Sequence, residues 1–124
     1  MGAATHLTAV DRCWLSPLAL WTGILAGPIA WAFDLETSYA LVHWTCATQQ
    51  RHLLHAITLF SLIVTAGGVA ISWMSWQQAR TASADQDEIG RARFMAMLGL
   101  SAGALFTLAI LASAIPRWML DACQ

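Results

Sequence analysis

The stretch FDLETSYALVHWTC, Phe33 to Cys46, sets two carboxylates, Asp34 and Glu36, inside a segment whose other residues suit a membrane helix. The apolar run that contains it extends from about Leu18 to His43. That is long enough for a hydrocarbon core, which takes ~20 helical residues. The first 14 residues, MGAATHLTAVDRCW, are polar and lack the short apolar core and small-residue cleavage site of a secretory leader. The run is too long and too acidic to be a cleaved leader, so it reads as a first span inserted as a signal anchor.

Two further apolar runs, about Leu53 to Trp76 and Phe94 to Ile115, have the same character. The 124 residues are 58% hydrophobic and 10% charged, with a mean hydropathy of +0.59. Soluble domains are about a quarter charged, so this chain lacks the polar residues to cover a soluble surface. Seven tryptophans, most of them near span ends, suit bilayer interfaces. A net charge of −1 points away from nucleic acid. The expected fold is therefore all-α, a single membrane domain over residues 1–124 with three transmembrane helices.

Ser16-Pro17 has the form of a helix start, serine as N-cap and proline at the first helical position. Pro28 lies mid-span, frees the carbonyl of Ile24 and predicts a kink. The short link WTCATQQRH makes the first two spans an antiparallel hairpin. The polar link 77–93 holds a capping-box pattern, Ser83 with Gln86, then Asp87 and Glu88 in a first turn. The third helix is expected to begin near Ala84, with Asp87 and Arg91 as i,i+4 neighbours. All six basic residues are arginines: Arg12, Arg80, Arg91 and Arg93 on one side, Arg51 and Arg117 on the other. This places the N-terminus inside and the C-terminus outside.

A carboxylate near a helix centre costs ~2.5–3.5 kcal/mol on the insertion scale, less toward the interface. The nine Leu, Ile, Val and Phe residues of the first span return ~0.3–0.6 kcal/mol each, which leaves that helix marginal alone. At 100° per residue the two acids point to opposite sides. Asp34 shares a face with Gly23, Gly27, Ser38 and Leu41, where Gly23-x-x-x-Gly27 allows close helix approach. Gly99-x-x-x-Gly103 in the third span and Ala66-Gly67-Gly68 in the second are further small-residue packing faces. Glu36 lies with Leu25, Ala32, Tyr39 and His43. Neither of the other spans offers a basic residue at that depth, so a charge partner within the chain is absent apart from histidines near the outer edge. The carboxyls are thus expected to be protonated, or to find their partner on another chain.

Near the outer end, His43-x-x-Cys46 precedes His52-x-x-His55, and Met119 and Cys123 arrive on the same side. Imidazole and sulfur suit zinc, copper or haem iron, so His43, Cys46, His52 and His55 form a candidate metal set. The competing reading is a set of polar residues at the headgroup boundary. Cys46 and Cys123 alternatively form a disulfide on an oxidising outer face, with Cys13 free on the other side.

The residues Gly27, Pro28, Trp31, Leu35, Tyr39, Leu41, Val42, Trp44 and Cys46, with His52 and Leu53 opening the next span, resemble a group of small bacterial membrane proteins. Those proteins are similar to ones encoded beside haem–copper cytochrome oxidase subunits and their assembly factors. The likeness covers the first two spans, and the acidic pair departs from it, since a neutral residue or histidine is usual there. It implies an accessory or assembly subunit of a respiratory complex in the bacterial inner membrane, not an enzyme, with no cofactor of its own. Its partners would be the bilayer and other transmembrane subunits, with a homo-oligomer as a further arrangement. Helix docking is expected through Gly23, Gly27, Asp34, Ser38, Gly99 and Gly103, with Asp34, Glu36, Tyr39 and His43 as the polar intramembrane set. The alternatives are haem or copper binding by the outer histidines and cysteine, or a small oligomeric proton-coupled transporter using Glu36 or Asp34.

Overall fold

The computed structural model describes residues 16–81 and 86–120, the Arg51 side chain excepted. It contains three helices: α1, Pro17–Thr48; α2, Arg51–Thr81; and α3, Gln86–Met119. Each is long and apolar enough to cross a membrane. Each packs on both others, α1 and α3 running parallel and α2 antiparallel between them.

The helix start is the expected one: the Ser16 side chain accepts a hydrogen bond from the Ala19 amide at 3.3 Å, with Pro17 in the first turn. All three helices overrun the apolar stretches. Once begun, a helix adds a hydrogen bond with each residue fixed, so polar residues at a span end do not stop it. The first link shrinks to Gln49 and Gln50, and Gln49 adopts a left-handed φ of 59° to cap α1. Helix α1 passes through Pro28, and α3 passes through Pro116 for one more turn. That last turn carries Arg117 back into the bundle. Helix α3 begins, among the described residues, at Gln86. Ser83 of the expected capping box, Cys13, Trp14 and Cys123 lie outside the described residues. Among those described, no ion pair closes between Asp87 and Arg91.

The bundle is built with small and hydroxyl-bearing residues inside and large apolar ones outside. The buried face of α2 is Leu54, Thr58, Ser61, Thr65, Gly68, Ser72, Ser75 and Ala79, spaced alternately three and four residues apart. That spacing keeps one seam toward the neighbouring helices. Thr65 and Ser75 return their hydroxyl protons to the carbonyls of Ser61 and Ile71, both at 2.9 Å, so these side chains bury without stranded donors. Outward lie Leu59, Phe60, Ile63, Leu105 and Leu108, each more than half exposed. Water would disfavour this distribution. A hydrocarbon solvent, as apolar as leucine, leaves helix contact to close packing and hydrogen bonds.

Glycines set the closest approaches. A Cβ on Gly68 would lie 2.5 Å from the Ala26 Cβ, and one on Gly103 would meet Val69 Cγ2. Of the expected Ala66-Gly67-Gly68 face only Gly68 is buried; Ala66 and Gly67 are exposed, and nothing lies within 4 Å of a Cβ placed on Gly67.

Candidate functional site

Asp34 lies on the buried face of α1, about 25 Å along the helix from Pro17 at 1.5 Å per residue. Its side chain is 0% exposed, and that of Arg117, its partner, is 19% exposed. Arg117 Nη2 donates to Asp34 Oδ2 at 3.1 Å. Arg117 Nη1 donates to Thr58 Oγ1 at 2.7 Å, and Thr58 Oγ1 is 3.2 Å from Asp34 Oδ1. All three helices thus meet in one closed ring of polar contacts. The Leu54 carbonyl, also 3.2 Å from Thr58 Oγ1, competes for the single hydroxyl proton. The guanidinium donating to the same oxygen makes the hydroxyl a stronger donor.

This corrects the expectation that the carboxylates lack a charge partner within the chain. Two physical facts make the pair. Helix α3 continues past Pro116, because the missing amide costs one hydrogen bond and the next turn still forms, with Leu120 N donating to Pro116 O at 2.7 Å. A helical side chain also leans toward the N-terminus of its own helix. Arg117 therefore reaches back along α3 to the depth of Asp34 on the parallel α1. A signal for it was present: Arg117 continues the stripe of Ala96, Gly99, Gly103 and Ile110, all buried.

Thr58 contributes as a bridge, and Thr58→Val tests that directly. The shape is kept while a hydrogen bond to charged groups is lost, so stability should fall by about 1.5–3 kcal/mol. Thr58→Ser should recover most of it. Unfolding in detergent measures both, and a neutral Thr58→Val would remove the hydroxyl from the ring.

The residues expected to dock a foreign helix are consumed by the chain itself. Gly23 faces Ser72 and Gly68 on α2, Gly27 faces Phe106 and Ala102 on α3, and Gly99 faces Ser72 and Gly23. Gly103 meets Val69, and Asp34 pairs with Arg117. Ser38 is buried one turn beyond Asp34, its hydroxyl without a partner among the described residues, as is that of Ser61 one turn beyond Thr58. These are helix-docking surfaces, but the helices they dock are the chain's own.

Glu36 is placed differently. It is exposed on the outer side of α1, and among the described residues it has no ion pair or hydrogen bond. Along the same side run Leu18, Leu25, Ile29, Phe33 and Tyr39, all exposed, and then exposed His43. Glutamate's short side chain leans toward the N-terminus, away from the nearer helix end. It therefore reaches the nearer helix end poorly, in contrast to a long lysine or arginine close to that end.

His43, Cys46, His52 and His55 do not assemble. Among the described residues no three of His, Cys, Asp or Glu gather to hold a metal ion. His43, His52 and His55 are exposed. Cys46 is disulfide-bonded, so it has no thiolate to offer a metal in this state. Cys123, the partner expected from the sequence, lies outside the described residues. His55 instead stands edge-on to Trp118, ring centroids 5.8 Å apart, at the mouth of an apolar groove of about 720 Å³ between α2 and α3.

Three helices of membrane-crossing length, packed through small residues around the Asp34–Arg117 pair, have the make-up of a multi-pass membrane protein. No family model, curated protein or solved structure matches the chain.

Proposed function

We propose that this chain is a non-enzymatic accessory or assembly subunit of a larger complex in the bacterial inner membrane, docking through the outward side of α1. The observation that carries this reading is Glu36, an acid within a membrane-length helix, exposed outside the bundle and without a partner among the described residues. Charged residues at such positions are costly and usually meet a partner or a water-filled cavity. The neighbouring Tyr39 and His43 add hydrogen-bonding groups to the same side, and Leu25 and Ile29 add apolar contact area. The occupant that fits is a transmembrane helix carrying a basic or donor group at the depth of Glu36. The respiratory, oxidase-type identity of that complex rests on the resemblance carried by Gly27 to Cys46. The inside position of the N-terminus rests on the arginine distribution.

Glu36→Gln should lower co-purification of the partner by at least tenfold, since truncating one member of a buried charge pair costs ~2–5 kcal/mol. Helix content and unfolding temperature should hold, because among the described residues Glu36 makes no hydrogen bond or ion pair. Undiminished association would overturn the docking role.

The same geometry supports a second reading. Identical chains packed around Glu36 could shield it from lipid and use it as a proton carrier, whereas Asp34 is held by Arg117. Native mass spectrometry of gently extracted protein separates the two, as foreign subunits indicate an accessory role and a ring of identical chains indicates transport.

A further inference from the structure

At the opposite end of the bundle from the ion pair, α2 and α3 form a second groove, of about 360 Å³, lined by Trp73, Trp76, Met97, Leu100 and Ser101. The two indoles lean together with ring centroids 5.3 Å apart. The Arg80 guanidinium lies over the Trp76 ring, 4.8 Å from its centroid. A cation on an aromatic face leaves its N–H edges free to donate. On the facing helix, exposed Arg93 lies one turn before Met97 and two before Leu100, on the stripe that lines the groove. Among the described residues neither arginine has an anionic partner. Each wall of an apolar slot thus ends in a cation unpaired among the described residues, where the membrane-length segments give way to the polar link.

We propose that this groove is a binding site for an anionic phospholipid, its acyl chain lying along Trp73, Trp76, Met97 and Leu100 and its phosphodiester between Arg80 and Arg93. A basic pocket between helices, adjoining an aromatic-lined slot, matches both halves of such a lipid. A free phosphate would use only the cations, and a zwitterionic lipid only the slot. The site rests on the chain lying in a bilayer and is independent of the accessory role.

The test is native mass spectrometry of the full chain in detergent with phosphatidylglycerol and phosphatidylcholine of matched acyl chains. The wild type should retain one phosphatidylglycerol with a preference of roughly tenfold. Arg80→Gln with Arg93→Gln should remove the preference. Arg91→Gln, on another side of α3, should keep it. Ser101→Trp, which fills the slot at an exposed position, should reduce retention of both lipids. Circular dichroism checks that each variant stays helical. The proposal is overturned by equal retention of the two lipids, by a preference that survives loss of Arg80 and Arg93, or by an Arg91 variant that loses it equally. Unchanged retention in Ser101→Trp would also overturn it, as would displacement by millimolar inorganic phosphate.

Discussion

Arg117→Met should be the most damaging substitution in the polar ring, lowering stability by about 3–5 kcal/mol, because it leaves a buried carboxylate without its cation. Asp34 is 0% exposed between three helices, so its carboxylate is shielded from water. The reverse change, Asp34→Leu, should cost less, about 1–3 kcal/mol. The stranded group is then Arg117, 19% exposed near a helix end, whose long stem can carry the charge outward. Joining the two changes should restore stability to near the wild type, since a buried ion pair and a well-packed apolar pair of similar volume are often equivalent. Unfolding of the four proteins in the same detergent gives the coupling between the residues. An Arg117→Met protein as stable as the wild type would mean that the ring of contacts contributes nothing.

Neighbouring glycines on α2 should respond to alanine with opposite signs. Gly68→Ala places a methyl 2.5 Å from the Ala26 Cβ, and neither side chain has a rotamer to change, so the helix backbones must separate. Overpacking of that kind costs ~1–3 kcal/mol, and Gly68→Leu should prevent the bundle from closing. Gly67→Ala meets nothing within 4 Å and should gain up to ~1 kcal/mol from helix propensity alone. The contrast between two adjacent positions separates packing from propensity, because both sit in the same unbroken helix. Unfolding temperatures that move together would show that α1 does not approach α2 through Gly68. At Gly23 and Gly99 the nearest obstacle is the Ser72 hydroxyl, which can rotate away, so alanine there should be milder.

The sequence by itself determined the class of architecture. The lengths of the three apolar runs, the scarcity of charge and the Ser16-Pro17 start lead to three membrane-length helices with no tertiary information, because each depends only on local composition and backbone capping. The opposite facings of Asp34 and Glu36 were also legible, since they follow from helical periodicity alone. What the local reading placed outside the chain was the partner of Asp34. Ending the third span at Ile115 put Arg117 beyond reach, whereas the helix runs through Pro116 and the side chain leans back by a turn. The hydroxyl seam from Thr58 to Ser75 was written in the spacing of α2 but has no meaning until two other helices cover it. Only the tertiary structure decided which polar groups face each other. That depends on the relative axial shift of α1 and α3, which Gly27 against Phe106 and Gly23 against Gly99 establish, and no single helix contains that shift. The same packing left Glu36 outside, for it satisfied one acid of the pair and turned the other away.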